Sequence, residues 1–257
     1  MKLAERSSTD IFFLDTETTG FPDWKSPSEA EHQPHLVEIA GLRYTVNGEL
    51  VGGMSQIIKP EGWTIPQDTI DIHGITNEIA AEKGSPEVLA IAAFMALYDG
   101  CALRVAHNRS FDDRIIRIAL MRHAGEDEAN AYKERLGECT ALLSKPVCKL
   151  PATEAMKKTN FKNSFKTPTL AEAFTFLTGG RQIEGAHRAM SDAQHCARVY
   201  FLLKGIQMPE FPDDSYALRN ESNALEEGKD FCGACDKGCG ECRVKEESPE
   251  SELTEWV

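Results

Sequence analysis

The stretch IFFLDTETTG, residues 11–20, decides both the fold and the chemistry of this chain. Its short apolar run ends at a turn-forming TTG, a pattern typical of a central strand that is buried on both faces. Side chains two apart on a strand share a face, so Asp15 and Glu17 project together while Thr16 points away. Because burying two carboxylates is costly and metal coordination is the usual remedy, the sequence predicts a shared ion at the carboxyl end of this strand.

Strand and helix patterns alternate through most of the first 204 residues. Two apolar stretches, 36–46 and 49–58, flank Asn47-Gly48, the strongest short-range hairpin signal. A short strand is predicted at 102–106. Further helices are predicted over 86–99, 111–124, 170–177 and 189–203. The apolar positions that indicate the first of these helices are Val88, Leu89, Ala92, Ala93 and Ala96. A hairpin followed by crossover helices indicates an α/β fold with mixed strands.

Charge divides the chain into two parts, which we take as an enzyme domain over 8–204 and an acidic tail over 205–257. The tail holds 14 acidic and 5 basic side chains, a net charge of −9, which leaves −4 of the total −13 for residues 1–204. An acidic chain argues against tight, sequence-independent binding of long DNA without a partner. No apolar run approaches the roughly 18 residues of a membrane span, and no signal core is visible, so we expect a cytoplasmic protein that meets no membrane.

Two more motifs add acids and a histidine. Asp112 follows the predicted strand 102–106 and the loop HNRS, near the start of a helix whose dipole stabilises an anion. His187 and Asp192 are about 140° apart on a continuous helix, so they share a site only if the helix begins after Arg188. The imidazole of His187 is then the natural general base near neutral pH. For each residue the alternative is structural, as we expect for Asp113 and His195.

Taken together, the motifs DTETTG, HNRSFD and HRAMSDA resemble those of DnaQ-like 3′–5′ exonucleases of the DEDDh subgroup, in the family's order and over roughly residues 8–204. The resemblance implies a ribonuclease H-like α/β fold, a mixed five-stranded sheet flanked by helices, with the cysteine-containing acidic tail added. It implies two Mg²⁺ or Mn²⁺ ions bound by Asp15, Glu17, Asp112 and Asp192, with His187 as the base. The implied reaction is hydrolysis of the last phosphodiester at a 3′ end, which releases a nucleoside 5′-monophosphate.

The site should also contain residues that bind the terminal nucleotide. The segment IHGIT, residues 72–76, resembles the family's nucleotide-lining segment, and the turn after the first strand can aim backbone amides at a ligand. The substrate-binding candidates are Thr18, Thr19, Gly20, His73, Gly74 and Asn108. The chain departs from its relatives at Cys139, where they often carry an aspartate before the threonine.

A basic segment and a cysteine cluster lie outside these motifs. Residues 145–166 contain six lysines and interleaved phenylalanines, which suit either a strand-binding surface or a solvated loop that caps the core. In the tail, two Cys-x-x-Cys pairs suit either a zinc site or reduced thiols in a tail without metal, since only three residues separate the pairs. The four cysteines are Cys232, Cys235, Cys239 and Cys242.

Three functions remain open. The first is an exonuclease that acts on DNA, with single-stranded 3′ ends favoured, in replication, proofreading or repair. In that case the tail is either a docking peptide for a polymerase or another replication protein, or a solvated terminus. The second is the same chemistry on RNA or short oligoribonucleotides. The third is a non-catalytic adaptor for nucleic-acid ends, which the presence of all five catalytic residue types disfavours.

Overall fold

A computed structural model describes residues 9–183 and 185–207, which contain a single five-stranded sheet. The strands are β1 (Ile11–Thr18), β2 (Leu36–Tyr44), β3 (Leu50–Ile57), β4 (Leu103–Ala106) and β5 (Gly137–Cys139). Their order across the sheet is β3-β2-β1-β4-β5, with β1 antiparallel to β2 and parallel to β4. The predicted mixed five-stranded fold is therefore confirmed. The three-residue β5 has no local sequence pattern that predicts it.

Nine helices connect and cover the strands in the described part of the chain. They are α1 (Gln67–His73), α2 (Asn77–Lys83), α3 (Glu87–Tyr98), α4 (Arg109–His123), α5 (Glu126–Glu134), α6 (Thr140–Cys148), α7 (Glu154–Lys157), α8 (Leu170–Leu177) and α9 (Ala189–Leu203). None of the described helices has the length and apolar character required to cross a bilayer.

Strand β1 is the centre of the core because both of its faces are covered. Phe12 and Leu14 lie in an apolar cluster with residues of α3 and α4, and the ring of Phe12 meets that of Phe94 edge to face. On the other face, Phe13 packs against Tyr200 and Phe201 of α9. Alternate residues of β1 thus belong to different helical layers, and Asp15 and Glu17 continue the face that meets α9.

The helix predicted over 86–99 forms as α3, but its predicted apolar positions do not pack on the sheet. Val88 and Leu89 are 44% and 60% exposed, whereas the buried apolar residues are Ala90, Ile91, Phe94 and Tyr98. The helix is apolar around most of its circumference, so spacing alone does not determine which side is buried. The side that carries the rings of Phe94 and Tyr98 faces the core, because burying these rings removes a large apolar area from water.

A buried arginine joins the second half of the sheet to two helices. Arg104 of β4 is 2% exposed and its guanidinium donates to both carboxylate oxygens of Asp113 in α4, at 2.7 and 3.0 Å. It also donates to the carbonyl oxygens of Tyr132 and Arg135 at the end of α5. Asp113 therefore has a structural role.

We predict that Arg104→Ala lowers the free energy of unfolding by about 3–5 kcal/mol, because it leaves a partly buried carboxylate and two carbonyl groups without their cation. Arg109→Ala is the matched control, since Arg109 contacts the same carboxylate but is more exposed. It should cost less than about 1 kcal/mol. Urea denaturation measures both values, and equal losses would contradict this account of Arg104.

Candidate active site

Three carboxylates meet at the carboxyl end of β1. Asp15 and Glu17 lie on the strand face that packs on α9, and Asp192 lies in the first turn of α9. One oxygen from each of the three lies within 4.8 Å of the others. Divalent magnesium, manganese and calcium favour such oxygen ligands, so the donor set and its spacing fit a bound cation.

Burial and mutual repulsion dominate the electrostatics of these acids. Burial, followed by the neighbouring charges of Asp112, Asp192 and Glu17, raises the pKa of Asp15 well above its usual range. Burial raises the pKa of Glu17 to about 8 and that of Asp192 to about 6. The carboxylates are thus costly to ionise together, and a divalent cation would offset that cost.

Asp112 lies beside this group but is not one of the three acids that meet. It is buried at the start of α4 and accepts a hydrogen bond from the Thr16 hydroxyl at 2.9 Å. Thr16 points to the opposite face of β1 from Asp15, so the Asp112 carboxyl approaches the group from the α4 side. Burial raises the pKa of Asp112 well above its usual range, and the Thr16 bond opposes that rise.

The start of α9 brings His187 and Asp192 to the same end of the helix. The helix begins at Ala189, so His187 lies on the preceding loop, as the site requires. His187 is exposed, has a backbone φ of 65°, and donates its backbone N–H to Asp192 Oδ2 at 3.2 Å. That bond lowers the pKa of Asp192 against the effect of burial, and the nearby His187 side chain adds to the lowering.

Glu38 anchors the start of α9 to the sheet, and sequence reasoning missed it. It is 1% exposed in β2, directly opposite Glu17 in the strand register. Its two oxygens accept from the Arg188 guanidinium at 2.7 and 3.1 Å and from the backbone N–H of Ala189 at 2.9 Å. The available signal was one glutamate inside the apolar run LVEIAGL, residues 36–42.

The turn after β1 uses part of its hydrogen-bonding capacity internally. The Gly20 amide donates to the Thr18 hydroxyl, which in turn donates to the Gly20 carbonyl oxygen. The amide of Thr19 donates to the carbonyl oxygen of His35, whose amide donates to the Thr19 hydroxyl. These bonds fix the turn beside the acids. The amides of Thr19 and Gly20 therefore already have partners within the protein.

His73 is the most distinctive of the predicted substrate-binding residues. Its ring is buried, and Nδ1 accepts from the Ile75 amide at 3.1 Å, so the proton of the neutral ring lies on Nε2. No described residue bonds to that Nε2 atom. Burial lowers the pKa of His73. The charge of Glu38 opposes this lowering, and the charge of Arg188 adds to it. Gly74 ends α1 with a φ of 74°, a conformation that favours glycine.

Asn108 and Cys139 stand at the ends of neighbouring parallel strands. Asn108 precedes α4 in a left-handed conformation, with φ 62°, and its side chain makes no capping bond to the helix. Cys139 ends β5, and the next residue, Thr140, contacts Cys196 of α9 through its hydroxyl at 3.4 Å. The cysteine at the family's acidic position thus leaves the three meeting carboxylates intact. The roles assigned to the predicted site residues stay predictions.

A mixed sheet in this order, with acids at the carboxyl end of its central strand, defines the ribonuclease H-like class of nuclease folds. The model of the family described as Exonuclease (RNase_T) matches residues 12–200. The chain belongs to this exonuclease family, and the predicted resemblance to DnaQ-like 3′–5′ exonucleases is confirmed.

Individual relatives are similar over different parts of the chain. DNA polymerase III PolC-type of Listeria innocua is 26% identical over 222 residues, which cover 85% of this chain and 13% of that protein. Exodeoxyribonuclease 10 of Escherichia coli K12 is 33% identical over 103 residues, 40% of this chain and 39% of that protein. Escherichia coli exonuclease I in complex with a dA16 oligonucleotide has a TM-score of 0.59 at 20% identity, covering 78% of this chain and 41% of that one. The chain spans less than half the length of each of these proteins.

We predict that Glu17→Gln stabilises the metal-free protein increasingly as pH rises from 6 to 8. The folded pKa of about 8 exceeds the ordinary value of 4.5, so the folded wild type retains a proton that the unfolded chain has released. The free energy of unfolding of the wild type therefore falls as pH rises from 6 to 8. The variant lacks this carboxyl group and does not undergo that part of the fall. The difference in unfolding free energy should grow by about 1–2 kcal/mol. Exposed Glu61→Gln is the control, and a parallel trend in it would contradict the prediction.

We also predict that Glu38→Gln lowers kcat by about tenfold, because the uncharged amide no longer holds Arg188 and the loop carrying His187 loses its fixed position. Arg188→Gln should have a similar effect, and the double variant should lose little more than either single variant. Rates of nucleotide release at saturating oligonucleotide measure these losses. Fully multiplicative effects would show that the two residues act separately.

Proposed function

We propose that this chain is a metal-dependent 3′–5′ exonuclease that acts on DNA and releases nucleoside 5′-monophosphates. The observation that carries the proposal is the meeting of Asp15, Glu17 and Asp192 within 4.8 Å, with His187 on the loop that begins the same helix. Membership of the exonuclease family supplies the reaction class. The relatives named as a DNA polymerase and an exodeoxyribonuclease support DNA as the substrate.

In this proposal the acids form the metal-binding group of the site. Asp15, Glu17 and Asp192 would hold one Mg²⁺ or Mn²⁺ ion, and Asp15 with Asp112 would contribute to a second. Bound divalent ions of this kind make water more acidic and offset charge on the reacting phosphate oxygens. The raised pKa values of the acids fit this role, because closely spaced buried carboxylates ionise together most readily when cations neutralise them.

The remaining residues position groups and move a proton. His187 takes the proton from the attacking water, and histidine is the side chain best suited to that exchange near neutral pH. The bond from the His187 amide to Asp192 keeps the base next to the carboxylates. In this proposal His73 lies next to the terminal nucleotide, with Gly74, Asn108 and the turn at 18–20 completing the substrate pocket.

Single-stranded DNA is the favoured substrate, and the solved relative holding a dA16 oligonucleotide supports that choice. We propose that a polymerase or another replication protein binds the tail. We also propose a cytoplasmic location. The four cysteines Cys232, Cys235, Cys239 and Cys242 lie outside the described residues, so zinc binding there stays a prediction.

We expect Asp15→Asn and His187→Ala to fold normally and to lower the rate of nucleotide release by at least about 100-fold, because each removes a group required by the chemical step. The assay uses 5′-labelled single-stranded DNA, duplex DNA and RNA with Mg²⁺, and single-stranded DNA should be degraded fastest. Asp68→Asn and His32→Ala, on exposed surfaces, are the matched controls. Full activity in either site variant would refute the assigned roles, and faster cleavage of RNA would favour an exoribonuclease.

A further inference from the structure

A positively charged segment lies outside the catalytic group. Residues 145–166, which we call the lysine segment, carry six lysines and one acid in a chain whose total charge is −13. The acid is Glu154, which forms an ion pair with Lys157. Lys166 pairs with Glu172 of α8. Within the described part of the chain, no carboxylate lies at ion-pair distance from Lys158 or Lys162, so these two charges are available to a ligand.

Two aromatic rings are exposed among these lysines. Phe161 and Phe165 are 64% and 43% exposed, so they do not cap the core. The local backbone is held by turns: the Thr159 hydroxyl accepts from the Phe161 amide, and the Ser164 amide donates to the Phe161 carbonyl oxygen. These two exposed rings are therefore available to a partner.

The lysine segment returns to the catalytic edge of the sheet. The Lys166 amide donates to the Leu150 carbonyl oxygen and closes the loop. Two residues later, the carbonyl oxygen of Pro168 accepts from Nε2 of His107 at 3.1 Å, while Nδ1 of that ring accepts from the Thr140 hydroxyl at 2.9 Å. His107 directly follows β4, which is parallel to β1, so this anchor lies at the edge of the sheet that carries the acids.

We propose that the lysine segment binds the single strand of DNA that leads into the active site, through Lys158, Lys162, Phe161 and Phe165. The inference rests on the proposed function and adds a strand-binding surface to it. Lysines supply charge complementarity to phosphates, and exposed aromatic rings stack on bases without regard to sequence. Such a surface reconciles an acidic enzyme with a polyanionic substrate, because the cationic charge is concentrated where the strand passes.

The lysines are tested by the salt dependence of binding. Affinity of a dT12 oligonucleotide is measured in the Asp15→Asn background, where the strand should stay intact, at several salt concentrations. Lys158→Ala and Lys162→Ala should each reduce the slope of log Kd against log salt by about 0.7, the value for one lost phosphate contact on a single strand. Lys133→Ala is the control, since this exposed lysine lies in the last turn of α5, close in sequence to the amino end of β5 at the opposite edge of the sheet.

The aromatic rings are tested by substrate length. Phe161→Ala with Phe165→Ala should lower kcat/KM about tenfold for a dT12 substrate and less than about twofold for a dinucleotide. A purely structural role would reduce both by the same factor. Thermal melting of each variant checks that the fold is retained, and exposed positions give no reason for it to be lost.

The outcomes separate this inference from the proposed function. If the wild type hydrolyses no DNA, the proposed function fails. If the wild type degrades DNA but the lysine variants keep the wild-type salt slope, the proposed function stands and the strand-binding surface is overturned. The same conclusion follows if the phenylalanine variant loses activity equally on long and short substrates.

Discussion

The burial of closely spaced carboxylates at the end of β1 is the constraint on which this site depends. Burial raises the pKa of Asp15, Glu17 and Asp192, and the charge of Asp192 raises the pKa values of the other two further. A fold that only needed stability would place apolar residues there, because unpaired buried charge is destabilising. The packing of β1 against α9 holds the three carboxylates together. Their position is explained by the binding of divalent cations, which would neutralise them.

Residues on two sides hold these closely spaced carboxylates in place. On one side, Glu38 binds both Arg188 and the first amide of α9, which fixes the loop of His187 and the turn that presents Asp192. On the other, the Thr16 hydroxyl holds the Asp112 carboxyl beside the group. Anchors of this kind matter because catalytic groups must be held close to their productive geometry before the substrate arrives.

Strong local patterns made part of this structure predictable from the sequence. The apolar run before Asp15 predicts a central strand, and the spacing of His187 and Asp192 requires α9 to begin after Arg188 if the two share a site. Glu38 could not be found this way, because its partners lie about 150 residues further along the chain. The buried side of α3 differs from the apolar positions that indicated the helix, because this helix is apolar around most of its circumference. Strand β5 is too short to leave a periodic signal. These features depend on contacts between residues that are far apart in the sequence rather than on local propensity.

The most direct test of the central claim is the number of Mn²⁺ ions that the protein binds. Titration of the metal-free chain, followed by the electron paramagnetic resonance of free Mn²⁺, should give two bound ions per wild-type chain. Asp15→Asn should abolish tight binding, while Asp68→Asn should leave it unchanged. Equal stoichiometry and affinity in Asp15→Asn and the wild type would contradict the claim that the carboxylates at the end of β1 form the metal site.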